Sequence, residues 1–398
     1  MRLPITSFAF IAFVLPLTSS ALRAADSVRL TSLWSRQNAN IPFSDPVADG
    51  DRIFVGSEDH SFYALDATTG AEVWHHATGG KIHGRPLVTD SHVYFESDDR
   101  KLYKLTRDSG QLVWSFTIPG AAPVRDPNIY FHFTTSTPVL RDGRILLGSG
   151  NRHFYCLDDR DGSVVWSFEA ADRIRADPAF ANGKVIVAAF GPTVYALSET
   201  TGKLVWEKLV RADPEKPFLA KMLPSPVISG NLAIMGFRNW DLQAFDVDTG
   251  EVKWTVVYDG SWVEATGRVI DDRLYIGSSD ASLVRCYESQ TGEILWETAV
   301  GGRAYGAPSR IGDHLIFGLS GHSPNNRAFD SGIVTINLRN GHIDGKVDLP
   351  KPGGEDYFGP FGVLGHTTAL AGVVTFSDES GNLHAYTMTS GATASVLR

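Results

Sequence analysis

An all-β propeller of eight four-stranded antiparallel blades is the fold that this 398-residue sequence predicts. Three features predict it. A turn centred on Gly recurs eight times at spacings of 40 to 52 residues, a Trp follows that Gly by four residues in six copies, and the segments between alternate like strands. The turns are Thr69-Gly70, Ser109-Gly110, Asp161-Gly162, Thr201-Gly202, Thr249-Gly250, Thr291-Gly292, Asn340-Gly341 and Ser390-Gly391. Trp74, Trp114, Trp166, Trp206, Trp254 and Trp296 follow the first six, and Gly345 and Ser395 stand in the last two.

Each part of the unit has a local reason. The first strand begins beside Pro or Gly, as at Asp45-Pro46 or Thr137-Pro138, where the backbone is held extended. An Asp/Gly turn leads into a second strand such as Arg52–Gly56, and a short loop leads to a third such as Ser61–Asp66. Four residues before each turn Gly sits Asp66, Thr106, Asp158, Ser198, Asp246, Glu288, Asn337 or Thr387. Most of these are short side chains able to bond turn backbone, while the Gly supplies positive φ. The fourth strand carries the Trp. No window has a helical period. Trp34, in Leu33-Trp34-Ser35, reads as a fourth strand without its first three, and the eighth copy lacks a Trp. Pairing the N-terminal strand with the C-terminal blade, residues 363–391, closes the ring and hides both sheet edges.

Composition agrees with a soluble globular protein: 43% hydrophobic, 20% charged, net charge −9. An acidic chain of this kind does not suit nucleic acid. Met1-Arg2 followed by the apolar run Phe8–Leu17 and small residues to Ala24 reads as a signal peptide over residues 1–24, too short to span a bilayer. Its removal takes Arg2 and Arg23 and leaves a single domain, 25–398, with a charge of −11. No Cys for lipid attachment lies near the cleavage point. A periplasmic or secreted protein without a membrane span is expected.

The stretch Tyr63-Ala64-Leu65-Asp66-Ala67-Thr68-Thr69-Gly70-Ala71-Glu72-Val73-Trp74 resembles the repeat of pyrroloquinoline-quinone (PQQ)-type propellers, and Tyr195–Trp206 and Gln243–Trp254 repeat it. The resemblance covers nearly the whole mature chain. It implies that Trp34 and the six repeat tryptophans pack between neighbouring blades.

In an up-and-down blade the second-to-third loops and the inter-blade loops emerge on one face. The long segments Ile118–Ser136, Val210–Ser225, Gly318–Ser331 and Lys351–Phe361 all fall there, which makes it the candidate working face. They carry His322, Arg327 and Tyr357 among mixed charges and aromatics. The residues preceding the first strands ring the channel on the same face, with charges at Asp45, Arg85 and Asp177. Trp262, Glu264, Arg303 and Tyr305 come from adjoining inter-blade loops. Such a ring suits either a small polar ligand or a water-filled structural channel.

Recognisable catalytic chemistry is missing. The twelve His are scattered, with no HExxH, no zinc spacing, no phosphate loop and no haem-attachment CxxCH. No candidate catalytic residue or metal site emerges. Cys156 and Cys286 occupy the Ala64 position three blade steps apart, too far for a disulfide, so two buried thiols are expected. The leading reading is a monomeric exported interaction scaffold that docks an envelope protein, similar to the BamB-type outer-membrane assembly factors, with no cofactor. Two other readings stay open: a quinoprotein oxidoreductase of alcohols or sugars using PQQ and calcium, and a glycan-binding propeller. For the quinoprotein, Trp262 offers a stacking platform, but Asp45 and Asp177 lie on distant walls and Arg85 stands ready to neutralise Asp45.

Overall fold

The computed structural model describes residues 28–37, 44–120, 136–191, 193–210, 224–258, 260–321, 329–350 and 362–390. The proposed signal peptide lies outside them. They form eight four-stranded antiparallel sheets arranged as an eight-bladed propeller, and among them there is no helix. Blades one to seven span residues 47–77, 87–117, 139–169, 179–209, 227–257, 268–299 and 309–348. Blade eight takes its three inner strands from Thr368–Leu370, Val373–Ser377 and Leu383–Ser390, and its outermost strand from Val28–Arg36. The N-terminal strand therefore closes the ring as expected, with Trp34 opposite Ala385.

The turn and the Trp are two halves of one joint. Asp66 Oδ1 accepts hydrogen bonds from the backbone N–H of Thr68 and Thr69, and the Gly70 N–H donates to the Asp66 carbonyl at 2.8 Å. Gly70 sits at φ +68, and the Trp34 ring of the preceding blade lies against it so closely that an added Cβ would be 2.8 Å from a ring carbon. The same stacking recurs for Trp74 on Gly110 and onward round the ring to Trp296 on Gly341. Each indole N–H also reaches the next blade: Trp34 donates to the Ala67 carbonyl at 3.0 Å, Trp74 to Arg107 at 3.0 Å and Trp206 to Val247 at 2.9 Å. Trp166 is the exception, its Nε1 buried with no acceptor. Sequence thus couples neighbouring blades through one aromatic and one glycine at seven of the eight interfaces. Blade seven has Gly345 in place of Trp, and the Val28 carbonyl of the closing strand comes up against it.

The second strands are almost wholly buried; four end in Gly, at Gly56, Gly148, Gly236 and Gly277, and that of blade seven has Gly318 next to last. A Cβ there would collide with Ile82, Ile174, Val263, Ala304 or Val363 of the following inter-blade loop. Glu96 and Ala188 replace this Gly in blades two and four, and those blades precede the long loops after Ile118 and Val210. Cys156 and Cys286 are buried and unpaired, and burial pushes both thiols up to about 11.

Candidate functional site

The eight inter-blade segments deliver one residue each to the channel mouth, immediately before the innermost strand. In order round the ring these are Asp45, Arg85, Thr137, Asp177, Ser225, Thr266, Ala307 and His366. A residue entering an innermost strand has a backbone N–H that faces the neighbouring blade rather than its own sheet, and a short polar side chain on that neighbour accepts it. Thr137 N–H donates to Asp177 Oδ1 at 2.6 Å, Asp177 N–H to Ser225 Oγ at 2.8 Å, and Ser225 N–H to Thr266 Oγ1 at 3.1 Å. His366 N–H closes the ring on Asp45 Oδ1 at 2.9 Å. Two charges singled out from sequence, Asp45 and Asp177, are thus stitches between blades.

The charge of Arg85 does act on Asp45 as expected, but Arg85 is not its bonded partner. Its bonded partner is His366, whose Nδ1 lies 2.7 Å from Oδ2, while Arg85 acts on it only through space. Burial alone would raise the Asp45 carboxyl, but the His366 charge and hydrogen bonds, with Arg85 behind them, outweigh it and hold the group below its usual range. His366 moves the other way: burial opposes its charge, and Asp45 more than compensates, raising it.

Outside this ring lies a second layer built from inter-blade loops and second-to-third loops. Glu264, 5% exposed, bonds Arg238, and Arg303 bonds Asp280. The Arg238 guanidinium lies 5.1 Å from the centre of the Trp262 ring, and that of Arg303 lies 4.8 Å from Phe329. Burial raises the Glu264 carboxyl despite Arg238, and burial followed by Glu264 raises Tyr305. Glu58 takes both His83 at 3.0 Å and Lys81 at 2.7 Å, and these hydrogen bonds, His83 first, hold it at about 2. Ser320 Oγ donates to Glu379 at 2.8 Å. Trp262, Glu264, Arg303 and Tyr305 do come together here, whereas His322, Arg327 and Tyr357 lie outside the described residues.

Sequence reasoning missed His366, Arg238, Asp280, Glu379 and Glu96. His366 is found once Gly365-His366-Thr367 is set against Gly306-Ala307-Pro308, and Glu96 is a charged residue standing where five other blades have Gly. Burial pushes Glu379 up to about 8 against the Ser320 bond, and pushes Glu96 to about 7 against Arg175. A carboxyl raised on folding stabilises the fold below its ordinary 4.5, and this contribution is lost as pH rises through about 7 to 8. Glu379→Gln keeps the site neutral at every pH. Urea unfolding at about pH 5 and about pH 9 should show a smaller loss of stability for this variant than for wild type. An equal loss in both would contradict the assignment.

Fold and mouth together define a class: an eight-bladed propeller of PQQ-type repeats whose entrance is laced by charged pairs across blade boundaries. The family model described as "Outer membrane protein assembly factor BamB" matches residues 22–130 and 125–261, more than half the chain. The chain belongs to this family of PQQ-repeat, BamB-like propellers. Outer membrane protein assembly factor BamB of Bordetella pertussis is 26% identical over 190 residues, 46% of this chain and 48% of that one. Quinohemoprotein alcohol dehydrogenase ADH-IIG of Pseudomonas putida is 28% identical over 136 residues, 30% of this chain and 19% of that enzyme. The chain spans about half the length, or less, of the curated relatives it first matches. The crystal structure of BamB from Moraxella catarrhalis superposes with a TM-score of 0.67 at 17% identity, covering 90% of this chain and 100% of that one. A europium-containing methanol dehydrogenase reaches the same TM-score at 11% identity, covering 90% and 93%. Such likenesses establish the fold alone.

Proposed function

We propose that this protein is a non-catalytic interaction scaffold of the cell envelope, docking a protein partner in outer-membrane assembly through the loops of its mouth face. The observation that carries this reading is that the mouth's charges serve one another. Glu264 pairs with Arg238, Asp280 with Arg303, Asp45 with His366 and Glu58 with His83 and Lys81. Paired groups of this kind rigidify a docking platform and leave few groups free to act on a substrate. The assembly-factor relatives support the choice of partner class, and among the described residues no helix is long and apolar enough to cross a membrane.

The quinoprotein alternative draws on the alcohol dehydrogenase similarity. Calcium holding a quinone needs several oxygen ligands converging on one cation. Among the described residues no three His, Cys, Asp or Glu side chains converge in that way, and Arg238 covers a face of Trp262. Both observations count against a calcium-held quinone among the described residues. Purified protein mixed with PQQ and calcium should leave the quinone spectrum unchanged and show no dye-linked alcohol oxidation. Binding on the order of micromolar that disappears in Trp262→Ala would move the protein into the enzyme class. Cross-linking in an envelope extract followed by pull-down should recover an outer-membrane assembly protein. Recovery of none would count against the scaffold.

A further inference from the structure

We propose that Asn182 is a site of spontaneous deamidation on the face opposite the mouth, a chemical change that unfastens blade four from blade five. The proposal goes beyond the scaffold reading and does not rest on it. The chain holds two Asn-Gly pairs, Asn182-Gly183 and Asn340-Gly341. In such a pair the Gly nitrogen, giving up its proton, bonds to the Asn Cγ; the Cγ–Nδ2 bond breaks and ammonia leaves with that proton. Water then opens the five-membered imide. Opening at Cγ gives Asp, and opening at the backbone carbonyl gives isoaspartate, whose chain runs through the side-chain carboxyl carbon. Gly favours the ring closure because no Cβ stands beside the attacking nitrogen and its φ is least restricted.

The fold separates the two pairs. Asn182 and Gly183 are both exposed and form the two-residue turn between strands Ala179–Ala181 and Lys184–Ala188, at φ +50 and +69. Nothing lies within 4 Å of where a Gly183 Cβ would stand, and among the described residues the Gly183 N–H makes no hydrogen bond. Asn340-Gly341 is locked instead. The Gly341 N–H donates to the Asn337 carbonyl at 3.0 Å, the His342 N–H holds Asn340 Oδ1 at 3.0 Å, and a Gly341 Cβ would be 2.5 Å from Cε3 of Trp296.

Asn182 is also a tie between blades. Its Nδ2 donates across the boundary to Asn231 Oδ1 at 2.6 Å and to Asp248 Oδ2 at 3.2 Å, and Lys184 Nζ holds the same Asp248 at 2.6 Å. Asn231 donates its own amide to Asp246 at 3.1 Å, which leaves its oxygen facing Asn182. Deamidation replaces the donor with a carboxylate. Asn231 Oδ1 then loses its donor, and two carboxylates stand side by side with Lys184 to share. The hairpin itself accepts the acid, since blade three has Asp142-Gly143 in the same two-residue turn at φ +47 and +70. For the Asp product the damage therefore falls on the joint between blades. Isoaspartate, with one more backbone atom, disturbs the turn as well.

The test is peptide mapping by mass spectrometry of the full chain, aged folded at mildly alkaline pH and, in parallel, in urea. A protein isoaspartyl methyltransferase detects the isoaspartate. In the folded protein the Asn182 peptide should gain the mass of an NH2-to-OH exchange and become a methyl acceptor, at least tenfold faster than the Asn340 peptide. In urea the two peptides should convert at similar rates, because unfolding frees Gly341 and Asn340. Asn182→Asp should melt below wild type at low ionic strength, and adding Asp248→Asn should recover part of that loss. An Asn182 peptide that stays intact in the folded chain, or converts no faster than Asn340, overturns the proposal. A preference for Asn182 of the same size in urea also overturns it, and so does an Asn182→Asp variant as stable as wild type.

Discussion

Asp159→Ala should cost the fold about 3–5 kcal/mol, the range for stripping one partner from a buried ion pair. Lys104 stands in the third strand of blade two, where the other blades have Ala64, Cys156, Ala196, Ala244, Cys286, Thr335 and Ala385. It is 4% exposed. Its Nζ reaches out of blade two to both the carbonyl and Oδ1 of Asp159 in blade three, each at 2.8 Å. Tyr94 donates its hydroxyl to the same Oδ1 at 2.7 Å, and the Tyr94 and Trp114 rings flank the ammonium. Without the carboxylate, a buried cation keeps only a backbone oxygen and two aromatic faces. Adding Lys104→Ala removes the stranded charge and installs the residue most common at this position. The double variant should therefore be more stable than Asp159→Ala alone, although it lacks more atoms. Urea unfolding followed by circular dichroism measures both. A single-variant loss below about 1 kcal/mol, or a double variant less stable than the single, would show that the pair is not a buried tie.

Trp74→Ala should be of comparable size, about 3–5 kcal/mol, since it removes a large buried aromatic from a blade interface. Its ring packs near Phe54 and Phe62, both at 6.1 Å between centres, and its indole N–H holds the Arg107 carbonyl. Gly110, at φ +66, is the surface it lies on, and a Cβ there would come within 2.5 Å of Cε3. Gly110→Ala should thus also destabilise, through the left-handed backbone, at about 1–2 kcal/mol, and through the displaced ring. Both changes break the same contact, so their costs should not add. Full additivity in the double variant would mean that Trp and Gly do not form one joint.

These two sites also mark what is readable in the chain. Trp74 and Gly110 are legible because the joint repeats: the same aromatic, the same Gly turn and the same spacing come back in the first six copies, and one packing satisfies them all. Lys104 is legible as a departure from that repeat, but nothing in the linear order says that Asp159 is there to meet it. The channel mouth divides in the same way. The pre-proline residues announce Asp45, Arg85 and Asp177 as channel residues, because a repeat places the equivalent residue of every blade at the same height.

Which of them pair was decided by the fold. His366 is 321 residues from Asp45 and meets it only because the N-terminal strand closes blade eight and brings blade one beside it. Arg238 and Glu264, or Arg303 and Asp280, come from consecutive blades whose loops converge on the mouth. Periodicity determined the number of blades, the closure at Trp34 and the face that bears the loops, since each is a local rule repeated along the chain. Charge pairing at the mouth depends on distances between blades, which are set by how eight sheets pack about an axis. Tertiary structure alone therefore decided that Asp45 belongs to His366.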